Sequence, residues 1–156
     1  MRRLFCIIAW MLLALPASAD KWALLIGIDD YEDRNHISSL SGAARDARQF
    51  RKTLVEVMGV QDSHIQLLVA DKNRDNDESL PTRANISQAL SRLKQNAKAG
   101  DTVYVFFSGH GIRVATKDYL LPYDFKGLDA ESGIDTAYEE DKFYENYVIM
   151  VVDRHK

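Results

Sequence analysis

The chain has 156 residues, 46% of them apolar, and a formal net charge of −3. That length suits one domain with a core of its own, and mild acidity without a Lys/Arg-rich cluster excludes nucleic acid as an expected partner. A single cysteine, Cys6, excludes any disulfide framework.

Arg2 and Arg3 open the chain, the apolar run LFCIIAWMLLAL follows, and PASAD then sets Ala17 and Ala19 in the A-x-A pattern of a signal-peptidase site. Residues 1–19 are therefore expected to be a signal peptide cut after Ala19, placing the protein in the periplasm or outside the cell. The run is shorter than the roughly 20 residues a membrane span needs, so no stable membrane anchor is expected. Cys6 lies inside it, not at its end, which speaks against a lipid anchor. Cleavage would remove two cations and no acids, taking the charge from −3 to −5. Residues 20–156 would then form one domain without a thiol to act as ligand or nucleophile.

KWALLIGI (21–28) is almost continuously apolar, the pattern of a strand buried on both faces. After the polar turn DDYEDRN, the stretch SGAARDARQFRKTLVEVMG has helical spacing. Ala43, Ala47, Phe50, Leu54 and Val57 fall on one stripe, with Ser41 as N-cap and Gly59 as stop. IQLLVA (65–70) reads as a second strand. The loop DKNRDNDES (71–79) offers Asp71, Asp75 and Asp77 but lacks the full D-x-D-x-D-G…E arrangement of a calcium loop, so it is expected to be a solvated surface loop. A second helix is predicted from about Thr82 to Lys98, with Ile86, Ala89, Leu90, Leu93 and Ala97 inward. TVYVFF (102–107) and YVIMVV (147–152) complete the pattern as third and fourth strands.

Strands alternating with helices predict right-handed crossovers and a mostly parallel sheet covered by helices on both faces. Ligands of such sheets bind beyond the carboxyl ends of the strands. The loops leaving those ends are DDY at 29, SGHG at 108 and DRHK at 153. In the second, two glycines let the backbone bend sharply, His110 can exchange protons near neutral pH, and the amide of Gly111 can point at a developing oxyanion. On residues alone, a solitary histidine after a strand reads more often as structural than as catalytic.

Four ordered segments, WALLIGIDDY, LSGAARDARQF, VYVFFSGHG and YLLPYD, together resemble the caspase-like domain of the C14 peptidases, and bacterial metacaspase-type members most. The resemblance implies a caspase-like three-layer α/β sandwich and a cysteine endopeptidase acting on peptide or protein substrates. It identifies His110 as the dyad histidine and Gly111 as an oxyanion-hole amide. It also implies that Asp46 and Ser108 border an S1 pocket whose carboxylate pairs with Arg or Lys at P1. Leu40 stands where caspases proper carry an arginine, which favours the metacaspase side. The bland reading of Asp46 is a charge complementing a helix dipole.

The same resemblance aligns Asp153 with a second acidic residue of the S1 pocket, and His155 with the cysteine nucleophile, 45 residues after His110. A histidine there leaves two bases and no thiolate. Two accounts follow: an incomplete domain that departs from the family at its C-terminal side, or a pseudopeptidase that binds peptides without cleaving them. In the first, the strand at 147–152 would leave an unpaired sheet edge open to self-association. No metal or cofactor is expected. The acidic insertion of calcium-dependent relatives has no counterpart, since IRVATKD runs into YLLPYD with only Asp118 and Asp124 nearby. A metal hydrolase is the weaker rival, because His36, His64, His110 and His155 are scattered with no H-x-x-x-H spacing.

Overall fold

A computed structural model describes residues 19–75, 78–126 and 134–143. The segment before Ala19 expected to be a signal peptide, Asp77, the strand expected at 147–152 with its sheet edge, Asp153 and His155 all lie outside the described residues.

Strand β1 (Lys21–Ile28) is the centre of the molecule. It pairs in parallel with β2 (Ile65–Ala70) on one side and β3 (Thr102–Ser108) on the other, giving the order β2-β1-β3. Helix α1 (Ala43–Glu56) joins β1 to β2, and α2 (Arg83–Asn96) joins β2 to β3. The alternation of β1 side chains sends neighbours to opposite faces. Leu24, Ile26 and Ile28 pack with Ile86, Leu90 and Leu93 of α2, whereas Ala23 and Leu25 pack with Ala44, Ala47 and Leu54 of α1. One continuous apolar strand thus serves two cores, and the three layers expected for a caspase-like α/β domain are present.

The two helices start differently. Thr82 caps α2 by accepting the Asn85 N–H at 3.1 Å, as Thr82-first boundaries suggest. For α1 the expected cap, Ser41, is replaced by Gly42, held at φ 145° with no side-chain cap of its own. The helix is capped from a distance: Asp29 Oδ1, at the end of β1, accepts the N–H groups of Gly42 and Ala43 at 2.9 and 2.8 Å. A buried carboxylate thereby satisfies donors that would otherwise be orphaned and complements the helix dipole. Gly27 explains the closeness. A Cβ there would come 2.4 Å from the carbonyl oxygen of Ala43, so α1 sits directly on the carboxyl end of β1.

Val57 departs from the predicted stripe. The helix ends at Glu56, the 3.6-residue spacing lapses, and Val57 is 78% exposed while Gly59 turns the chain at φ 67°. The loop 71–79 is also less free than its charges suggest. Arg48 of α1 reaches Asp71 and Glu78, each at 2.7 Å, and the guanidinium holds both carboxylates below their usual range.

A second, antiparallel sheet follows β3. Strands β4 (Gly111–Val114) and β5 (Lys117–Leu120) form a hairpin, and β6 (Tyr138–Glu139) adds to β5. Its turn places Ala115 at φ 54°. Ala-Thr carries none of the Gly, Asn or Asp that usually mark such turns, so IRVATKD reads as a plain connection. A single turn, α3 (Glu140–Phe143), buries Phe143 against Tyr138 with ring centres 5.5 Å apart. Residues 134–143 therefore contribute two aromatic rings to the α2-side core.

Candidate active site at the histidine turn

Strands β1 and β3 end side by side, with Gly27 opposite Ser108. Two of the three loops expected to carry chemistry leave from that point. They meet directly, since the main-chain N–H of His110 donates to the phenol oxygen of Tyr31 at 2.6 Å. The two rings lie 5.3 Å apart at a tilt of 45°. Tyr31 is buried, and that burial pushes its pKa up to about 12; the charge of Asp29 adds to the rise and the His110 N–H opposes it. The phenol is therefore neutral across the physiological range and a fixed acceptor for the histidine turn.

The imidazole is held from its other end. His110 Nε2 lies 2.8 Å from the carbonyl oxygen of Ser38. A carbonyl only accepts, so Nε2 carries a hydrogen, and in the neutral ring Nδ1 keeps its lone pair. Nδ1 is then the nitrogen available as a base. Gly109 is required by the same closeness: a Cβ there would fall 2.9 Å from the Tyr31 phenol oxygen and 3.1 Å from the Phe107 ring.

Gly111 begins β4 opposite Leu120. The Leu121 N–H donates to the His110 carbonyl at 3.0 Å, making that neighbouring pair a hydrogen-bonded one. Pairs alternate in an antiparallel ladder, so the Gly111 N–H points away from β5. An amide in that position can receive an oxyanion.

Ser108 ends β3, and Asp46 lies in the first turn of α1. The Gly27–Ala43 contact brings that turn to the same sheet end as Ser108. The Asp46 carboxylate is 57% exposed and stands 3.8 Å from Arg45, a contact too solvated to hold it against a stronger cation. Three other acids are committed elsewhere. Asp118 pairs with Arg113 at 2.6 Å, Asp124 accepts the Arg83 N–H at 2.8 Å, and Asp71 is gripped by Arg48. Leu40 is exposed, and its N–H donates to the main-chain oxygen of Asp29 at 2.8 Å.

The family model described as Metacaspase, peptidase C14 domain matches residues 21–149. The chain belongs to the metacaspase C14 peptidases. Metacaspase-6 of Arabidopsis thaliana is 37% identical over 122 residues, covering 77% of this chain and 28% of that protein. Metacaspase-7 of the same plant is 43% identical over 96 residues, 60% of this chain and 22% of its own length. Metacaspase-1 of Cryptococcus neoformans is 35% identical over 115 residues, 68% of this chain and 24% of the relative. The chain thus spans about a quarter of the length of these metacaspases.

Within the metacaspase fold the structure adds residues that sequence patterns left without a role: Tyr31, Asp29, Asp30 and Ser38. Asp29, Asp30 and Tyr31 carried a signal, as the loop that ends the motif around β1; Ser38 carried none. The contact of Tyr31 with His110 joins positions 79 apart in the chain, which no local pattern encodes.

Proposed function

We propose that this domain is the histidine-bearing part of a cysteine endopeptidase cleft that accepts peptides with Arg or Lys at P1. The observation that carries the reading is the bond from His110 Nε2 to the Ser38 carbonyl, which leaves Nδ1 as a base next to the Gly111 amide. In such a cleft Nδ1 would take the proton of a thiol and return it to the leaving amine, while the Gly111 N–H steadies the tetrahedral oxyanion. Asp46, with Ser108 beside it and Asp153 as the second acid, would pair with the basic P1 side chain.

A second reading, a peptide-binding pseudopeptidase, is favoured by one fact: residues 20–156 contain no cysteine. The family resemblance sets His155 where the nucleophile would stand. Both readings share the cleft and differ in whether a cysteine from outside residues 20–156 joins it. Export to the periplasm or beyond is part of the proposal and is supported by the charged start, the apolar run and the A-x-A site of residues 1–19.

Arg- and Lys-ending fluorogenic peptides test both. This chain should bind them without turnover, and Asp46→Asn should weaken binding about tenfold, the loss of one charge-assisted contact. Turnover that survives thiol alkylation and disappears in His110→Ala would reject cysteine chemistry. Equal binding of peptides ending in Arg and in Glu would reject the S1 assignment.

A further inference from the structure

His110 is fixed by a carbonyl in an exposed segment, and that carbonyl must itself be held. Ser38, Ser39 and Leu40 belong to no strand or helix and face solvent. A main-chain oxygen in such a segment is ordinarily free to turn toward water. Here the neighbouring Ser39 hydroxyl donates to Asp30 Oδ1 at 2.8 Å. Asp30 is only 6% exposed, and its own N–H donates to the Ala70 carbonyl of β2 at 3.0 Å. The segment is strapped again at Leu40, whose N–H reaches the Asp29 carbonyl, and at Gly42 and Ala43, which reach the Asp29 carboxylate. A continuous path therefore runs from β2 through Asp30, Ser39 and the Ser38 carbonyl to His110 Nε2.

We infer that Asp30 is a positioning residue for His110, acting through Ser39 to hold the Ser38 carbonyl and so keep the imidazole in its Nε2–H tautomer. With Tyr31 taking the His110 main-chain N–H, the turn Asp29-Asp30-Tyr31 grips the histidine from both sides. The inference deepens the proposed cleft and rests on it in one respect: the Nδ1 lone pair matters as a base only if His110 serves a nucleophile. The molecule supplies an internal contrast. His64 offers Nδ1, not Nε2, to a carbonyl, that of Lys21 at 3.2 Å, and so is held in the opposite tautomer.

Imidazole nitrogen spectra of the intact chain labelled with nitrogen-15 histidine, taken above the imidazole titration range, read the tautomers directly. His110→Gln assigns the His110 signals. His110 should appear as a single Nε2–H form and His64 as Nδ1–H. Ser39→Ala, which removes one hydroxyl from an exposed residue, should turn His110 into a mixture of tautomers, and Asp30→Ala should do the same. Ser39→Thr should restore the single form. His64 serves as the report on folding. If Asp30→Ala loses the native His64 signal, Ser39→Ala decides alone. A single Nε2–H form persisting in Ser39→Ala overturns the inference, as does an Nδ1–H form of His110 in the unaltered protein. Peptide binding is read separately. Its absence with the tautomer intact rejects the proposed cleft and leaves the positioning role standing.

Discussion

Each end of the parallel sheet holds a histidine between an aromatic ring and a main-chain carbonyl, yet the two ends differ in what they leave open. At the amino end, His64 stacks flat on Trp22, with ring centres 3.9 Å apart at 11°, and gives its Nδ1–H to Lys21. Trp22 is tied in turn to Asp101 at 3.0 Å, which also accepts the N–H groups of Asp20 and Lys98. At the carboxyl end, His110 is tilted on Tyr31, is flanked by Gly109 and Gly111, and is bonded through Nε2. A histidine's role is therefore not set by the kinds of groups it touches. It is set by which nitrogen is spent, and by whether the neighbours are small enough to admit a substrate.

The largest expected effect comes from closing the approach that builds the carboxyl end. Gly27→Ala would drive a methyl group into the Ala43 carbonyl at the foot of α1, and backbone cannot yield as a flexible side chain does. A loss of about 3 kcal/mol in denaturant unfolding is expected. A variant as stable as the parent would mean that α1 is not seated on β1 in this way, and the contrast between the ends would lose its basis.

Next in size is the response of Tyr31 to alkali. Its folded pKa of about 12 stands above the ordinary value near 10, so between those pH values the folded state holds a proton that the unfolded chain has lost. Stability should be unaffected by this group below pH 10 and should fall by about 2 kcal/mol as the pH rises to 12. Unfolding titrations across that window should show a shallower decline in Tyr31→Phe. Identical slopes would remove Tyr31 as the buried acceptor of the histidine turn.

The smallest effect sharpens the comparison from the other side. His64→Ala removes a ring stack and one hydrogen bond at the amino end and should cost about 1 kcal/mol. Binding of Arg-ending peptides, measured alongside, should not change. Weakened binding would show that the two ends are coupled.

Much of the frame was legible in residue order. The three parallel strands follow from apolar runs too short for helices, and both long helices from their stripes. Ser108-Gly109-His110-Gly111 is a local signal, with glycines and histidine adjacent in the chain. What holds that turn was not legible, because it depends on partners 72 and 79 residues away, Ser38 and Tyr31. The cap of α1 escaped for a similar reason. Ser41 has the right chemistry at the right place, but Asp29 reaches the same N–H groups from a strand end. The hairpin of β4 and β5 was missed because Ala115 adopts its left-handed conformation without the residue types that advertise one.

The division of β1 between two cores bears on how the sequence can change length. The side facing α1 is built from Ala23, Leu25, Ala44 and Ala47, and the side facing α2 from Leu24, Ile26, Ile28 and Ile86. One residue inserted or deleted within 23–28 would swap these sets, forcing branched side chains against the alanine face where Gly27 already touches α1. Substitutions can be absorbed along this strand one at a time, but a shift of frame cannot. Tolerated insertions should concentrate instead at tips such as Ala115-Thr116, where neither core depends on the count.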